Sequence, residues 1–308
     1  MSSKARQTVT ELIAVIVAVT DDEPRVLTID DARALPSGPF LITDRSLQSS
    51  LRLRVERQTR HPLGYMEQLY TFADRDRTGE GKQIISISYL GLTREALSLK
   101  RSTGSWQSWY RYFPWEEQRQ SDNAIVRKVI APRLKEWAAQ ATDKETRAIR
   151  QQRIATVFGQ LGQSWNEELV LQRYELLYEA GLVQEAEANA AYADDPVLGI
   201  PMLHDHRRIL ATGIARLRAK IRYRPVIFEM MPETFTFLQL QRTVEAIVGR
   251  LLHKQNFRRM IEQQSLIEET GETSTETGGR PAKLLRFKRE IVLERAAMGS
   301  KLPLARMR

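Results

Sequence analysis

The run Lys254-Gln255-Asn256-Phe257-Arg258-Arg259-Met260-Ile261-Glu262-Gln263-Gln264 decides how this chain is read. Phe257, Met260 and Ile261 recur at helical spacing and predict one buried face, which turns Gln255, Arg258, Arg259 and Glu262 outward. A helix ahead of it carries Leu240, Val244, Ile247 and Val248 on one stripe, and Gly249 is placed to stop it. Two helices across a short turn, the second basic and bearing amide side chains, match a helix-turn-helix whose second helix enters the major groove. Arginine forks suit guanine O6 and N7, and Gln255 or Asn256 suits adenine.

Charge agrees with that reading. Residues 205–308 hold 21 Lys and Arg against 11 Asp and Glu, while residues 1–204 hold 26 against 27, so the net +9 lives in the last third. A compact basic module is expected to meet a polyanion. Leu266–Glu268 and Lys283–Phe287 are expected to pair as strands around the turn-rich tip Thr270–Pro281, where Gly278 and Gly279 allow close approach to phosphates and Arg280 reaches a minor groove. The candidate DNA-binding residues are therefore Lys254, Gln255, Asn256, Arg258, Arg259, Arg280 and Lys283. Duplex DNA is preferred to RNA because this region lacks an aromatic stacking platform. The alternative is a merely solvated basic surface.

The first two thirds read differently. With no cysteine among 308 residues, thiolate chemistry, disulfides and zinc fingers are excluded, and a cytoplasmic setting is expected. Leu12–Val19 is too short to span a bilayer and runs into Asp21, Asp22 and Glu23, so it is expected to be a buried strand, with no membrane partner. A second strand follows at Arg25–Ile29. After the loop Leu35–Phe40, Leu47, Leu51 and Val55 mark a helix whose other face is basic. Met66–Ala73, Gln83–Leu92 and the aromatic stretch Ser105–Trp115 are expected to be strands. Helical patterning then runs from Glu116 to Ala193 and again over Asp205–Ile221, and Arg222–Met231 reads as an extended connector.

Other features favour structural roles. His204 and His206 flank Asp205, but residues two apart on a helix point to different sides, so Asp205 is expected to be a cap and no metal site is assigned. Glu116-Glu117 reads as a charge effect at a helix start. The five tryptophans read as core or interface anchors.

Pro36-Ser37-Gly38-Pro39-Phe40, the basic helix, Met66–Asp74 and Ser86–Leu90 resemble the Nudix-homology domain of the Nudix-related transcriptional regulators of NAD metabolism. His204-Asp205-His206, Thr236–Gln241, Asn256-Phe257-Arg258-Arg259 and Gly278–Ala282 resemble that family's winged-helix half. The match covers about residues 8 to 113 and 204 to 287, and the helical insertion between suggests the NadQ-type branch. The resemblance implies an α+β chain: a Nudix-like α/β/α sandwich with a helical insertion, followed by a C-terminal winged helix-turn-helix. The expected boundaries are 1–115 for the first Nudix-like part, 116–200 for the insertion, 201–231 for the last Nudix-like helix and connector, and 232–308 for the winged helix and basic tail.

Active Nudix enzymes hold magnesium on glutamates of a G-x5-E-x7-R-E-U-x-E-E-x-G-U box. Aligned by Thr59, this chain has Leu53 at the box arginine and Arg54, Arg57 and Gln58 at its three glutamates, with Arg60 and His61 at its close and Gly38 near its opening glycine. Magnesium demands hard anionic oxygens, and arginine in their place attracts phosphate instead. No catalytic residue and no cofactor are therefore expected. Arg54 and Arg57 are the candidate effector contacts, with a solvated helix face as the alternative. The effector class implied is ADP-ribose, NAD or another adenine nucleotide. The function implied is a homodimeric repressor of NAD-biosynthesis genes on a palindromic operator. The rivals are an active Nudix pyrophosphohydrolase and a sequence-indifferent nucleic-acid or scaffold protein.

Overall fold

Alternation along one strand organises the first unit. In the computed structural model, which describes residues 8–41, 43–59, 63–73, 78–79, 82–95, 104–120, 124–186, 196–274, 281–288 and 290, β1 (Thr8–Thr20), β2 (Glu23–Thr28), β3 (Ser37–Pro39), β4 (Tyr65–Phe72), β5 (Thr78–Gly79), β6 (Lys82–Leu92) and β7 (Ser105–Ser108) form one mixed sheet. Its main order is β4-β6-β1-β2-β7, with β3 beside β1 and β5 beside β6. The central pair is parallel, running from Thr8 opposite Gln83 to Val17 opposite Leu92. Every residue from Leu12 to Ala18 is buried, because both faces of β1 are covered and such a strand reads as a continuous apolar run.

The two covers are separate helices. Leu12, Ala14 and Ile16 share a core with Leu51 and Val55 of α1 (Leu47–Thr59). Burying one such side chain contributes about 1.5–3 kcal/mol. The opposite set meets α5 (His206–Lys220): a Cβ at Gly213 would lie 2.8 Å from Val15 Cγ1, so only glycine lets this helix rest on the strand. The insertion between them supplies α2 (Ala131–Ala139), α3 (Lys144–Phe158) and α4 (Val170–Glu179), and α4 packs on α5. Asp143 caps α3 by accepting from Thr146 N at 2.7 Å. That backbone hydrogen bond holds its carboxyl below its ordinary value.

Several local expectations change. The strand expected over Ser105–Trp115 ends at Ser108 and gives way to short 3-10 turns at Trp109–Arg111 and Pro114–Glu116. Trp109, Tyr110, Tyr112, Phe113 and Trp115 are all buried, a density that strand alternation with one solvated face does not produce. The connector expected to be extended is a 3-10 turn over Val226–Met230. Asp205 takes the N-cap position of α5 without a side-chain cap bond. His206 is buried and its Nδ1 accepts from Leu35 N at 2.9 Å, a structural role.

Glu116 is not a helix-start charge. It is fully buried and accepts hydrogen bonds from both Arg173 and Arg218. Burial alone would raise its carboxyl, but the two guanidinium groups outweigh that and hold it below its ordinary value. Arg173 also donates to Val157 O at 3.0 Å and Asn166 O at 2.9 Å, and stacks over Trp165. Arg218 donates to Ile247 O at 2.8 Å. Residues Ala246–Arg250 group with Met1–Met230 in this unit. Tyr110 Oη donates to Ala246 O at 2.7 Å. Burial pushes that hydroxyl up to about 12, so it stays protonated near neutrality.

The second unit comprises Met231–Glu245 and Leu251–Arg308. Its elements are β8 (Thr234–Thr236), α6 (Phe237–Val248, whose end belongs to the first unit), α7 (Lys254–Gln263), β9 (Ile267–Ser274) and β10 (Ala282–Phe287), and its sheet order is β8-β10-β9. A capping box opens α6: Thr236 Oγ1 accepts from Gln239 N at 3.2 Å, and Gln239 Oε1 accepts from Thr236 N at 2.7 Å. β9 runs past the expected Leu266–Glu268 to Ser274, and the ladder slips between Lys283 and Leu285 to admit the longer strand.

Candidate nucleic-acid interface

α7 has an apolar side and an exposed side. Phe257 and Ile261 are buried, whereas Lys254, Gln255, Asn256, Arg258, Arg259 and Glu262 are exposed. Met260, expected to be inward, is 49% exposed, because the buried side of the helix is only as wide as the Phe257 and Ile261 rows. Gln255, Arg258, Arg259 and Glu262 lie opposite the Phe257 and Ile261 rows, and Lys254 and Asn256 are exposed to either side of them. Arg280 lies outside the described residues. Lys283 is exposed on β10, with its ammonium 2.8 Å from both carboxylate oxygens of Glu269.

The turn that aims α7 is held by a carboxylate the sequence reading passed over. Glu245 is buried and its Oε1 accepts from Leu252 N at 2.8 Å and from Gln241 Nε2 at 2.8 Å. Gln241 in turn donates to Leu252 O at 3.1 Å. The signal in the sequence was the pair Gln241 and Glu245 one helical turn apart before a stop glycine, a spacing that puts two polar groups on one face. The aromatic support was also missed: Phe237 lies edge-on to Phe257, with ring centroids 5.7 Å apart.

The wing is more acidic than the net charge of the region suggests. β9 carries Glu268, Glu269 and Glu272. Arg286 pairs with Glu268 at 2.6 Å, and that hydrogen bond holds the Glu268 carboxyl below its usual value.

In the first unit, α1 presents the other predicted residues. Arg54 Nη2 donates to Pro39 O at 2.6 Å, and its side chain lies where a Cβ on Gly38 would stand. Arg52 donates to Leu63 O and to Gly64 O, the latter at 3.1 Å. Gln58 Nε2 donates to Ser37 O at 3.1 Å. Much of the basic face of α1 therefore clamps backbone carbonyls, while Arg57 is exposed. The one acid in this helix, Glu56, accepts from Leu63 N at 3.3 Å. Among the described residues no cluster of three or more His, Asp or Glu side chains is arranged to hold a metal ion. A donor set of arginines and one engaged carboxylate does not fit magnesium. No described helix is long and apolar enough to cross a membrane.

Residues 227–287 match the family model of the NrtR DNA-binding winged helix domain. The chain is 34% identical over 105 residues to the ADPR responsive transcriptional repressor NtrR of Acinetobacter baylyi, a stretch covering 34% of this chain and 42% of that protein. Among solved structures, Shewanella oneidensis NrtR is similar in fold with a TM-score of 0.55 at 19% identity, covering 91% of this chain and 94% of that one. The same protein crystallised with a 27mer DNA gives 0.53 at 18% identity, over 91% and 93%. A MutT/nudix family protein from Enterococcus faecalis gives 0.53 at 15% identity, over 94% and 89%. The chain thus has a fold similar to that of the NrtR and MutT/nudix structures, and its residues 227–287 match the NrtR winged helix domain.

Proposed function

We propose that this chain is a transcriptional repressor that binds duplex DNA through α7 and its wing and answers to an adenine nucleotide of the ADP-ribose class through its Nudix-like unit. The observation that carries the reading is the winged helix over residues 227–287, with Lys254, Gln255, Asn256, Arg258 and Arg259 all exposed on α7. Arg280 is assigned to a minor groove, and Lys283 to the DNA-binding set. In this division, residues 1–115 and 201–231 form the sensor, 116–200 the insertion and 232–308 the DNA-reading part, working as a homodimer on a two-fold operator among NAD-biosynthesis genes.

The choice of ADP-ribose is supported by the A. baylyi repressor, which is described as ADPR responsive. Arg57, exposed on α1, is the proposed phosphate contact, and Arg54 shapes the loop beside it. The sensor is assigned no hydrolytic step, because α1 offers Arg54, Arg57, Gln58 and the single acid Glu56 where a divalent ion needs several carboxylates. A nucleotide that binds two states of the protein unequally must shift DNA affinity, and the coupling is reciprocal.

Electrophoretic mobility shifts on promoters of NAD-biosynthesis genes and on scrambled duplexes, with ADP-ribose titrated in, test the reading. The expected result is preference for the promoter and a change in that affinity with ADP-ribose. Equal affinity for both duplexes overturns it, as does magnesium-dependent release of AMP from ADP-ribose at an ordinary enzymatic rate.

A further inference from the structure

Resting on that reading of the α7 face, we infer that Glu262 is a specificity-determining residue, which positions Arg258 for base readout while disfavouring unselective duplexes. α7 carries three cations, Lys254, Arg258 and Arg259, and a single acid, Glu262. That acid lies one turn beyond Arg258, and its Oε1 accepts from Arg258 Nε at 2.8 Å. The guanidinium is also stacked, with its carbon 5.4 Å from the centroid of the Phe237 ring. Phe237 is anchored in turn: it meets Phe257 edge-on, and the Thr236 to Gln239 capping box fixes the turn it starts.

Stability does not explain the acid. Both side chains are more than half exposed, 59% and 53%, and an exposed ion pair of this spacing contributes little. A carboxylate on a face meant for DNA opposes every phosphate it approaches, so by charge alone it lowers affinity for all duplexes. What the pair does supply is order. The bond to Glu262 uses Nε and the ring restrains the plane of the group. That bond does not use the terminal nitrogens Nη1 and Nη2, the atoms with which arginine grips guanine O6 and N7. A restrained arginine loses less rotamer entropy on reaching a base than a free one, and it is less able to swing aside to any nearby phosphate.

The experiment uses the full-length protein and a duplex selected by the wild type from a random pool, beside a scrambled duplex of equal length. Affinities for both are read by fluorescence anisotropy for wild type, E262A, E262Q, R258A and the E262A/R258A pair, with circular dichroism checking that each folds. E262A is expected to bind the scrambled duplex more tightly and to lose about tenfold in the ratio of selected to scrambled affinity. R258A is expected to lose the same ratio, and the double variant no more than R258A alone. E262Q, whose amide oxygen still accepts from Nε, is expected to tighten both duplexes while keeping most of the ratio. A ratio unchanged in E262A, or losses that multiply in the double variant, overturns the assignment of Glu262 while leaving the DNA interface intact. A wild type that enriches no sequence from the pool overturns the interface and this assignment together.

Discussion

Arg54 reaches back across the start of the Nudix-like sheet to donate to the carbonyl of Pro39, 2.6 Å away. A cation therefore ties the loop at β3 to α1, and the neighbouring Arg57 is left exposed. The two residues should separate on substitution. Arg54→Ala removes a charged hydrogen bond and is expected to destabilise the unit by about 1.5–3 kcal/mol. Arg57→Ala should change stability by no more than about 0.5 kcal/mol, as exposed substitutions do, but weaken ADP-ribose binding. Chemical denaturation and calorimetric titration of each variant check this, and a destabilised Arg57→Ala with unaltered nucleotide affinity would remove Arg57 from the sensor.

Glu116 holds two buried arginines together, so its loss leaves both uncompensated. Glu116→Ala is expected to cost about 3–5 kcal/mol, the usual penalty for breaking a buried pair from one side. Urea denaturation at neutral pH measures it. A cost within the range of a surface substitution would mean that water reaches Arg173 and Arg218.

The same carboxylate gives the protein an acid limit. Arg173 and Arg218 hold Glu116 below its unfolded value despite its burial. The stabilisation it provides is thus complete above the ordinary carboxylate range and is lost as pH falls through the lowered folded value. Melting temperatures of the wild type and Glu116→Gln should differ widely near neutrality and converge in acid. A gap that stays constant with pH would show that Glu116 does not titrate on unfolding.

Glu245 should matter to DNA binding without touching DNA. Its two bonds pin the turn before α7, so Glu245→Ala strands the Leu252 amide and is expected to cost about 1–3 kcal/mol. Operator affinity should fall while the helical content by circular dichroism stays near that of the wild type. Full operator affinity in this variant would show that the turn is held elsewhere.

The parts of the fold that were legible in the sequence are those where one residue type repeats at one period. Leu12–Ala18, the Leu51 and Val55 row and Leu240, Ile247 and Val248 each announced a buried face, while Val19 and Val244 are half-buried. Where neighbouring groups decide the outcome, the sequence was silent. The aromatic residues from Trp109 to Trp115 have strand propensity, yet all of them are buried in and between two 3-10 turns. Glu116 looked like a helix-start charge because its partners, Arg173 and Arg218, are 57 and 102 positions away. At the candidate interface, the exposure of Gln255, Arg258, Arg259 and Glu262 followed from helical spacing, and that of Met260 did not. The Glu245 clamp and the ring beneath Arg258 required knowing how α6 and α7 meet.

The lone glycine at 213 has a consequence for how the chain is made. Val15 is synthesised early, but the helix that lies on it through Gly213 emerges only after the whole insertion. During translation the Ile13, Val15 and Val17 side of the first strand has no lid, and its parallel partner must close a long loop before pairing begins, a slow step by topology. The nascent polypeptide thus carries a sticky, half-finished sheet until the ribosome has nearly reached the winged helix. Chaperone demand should concentrate in that interval.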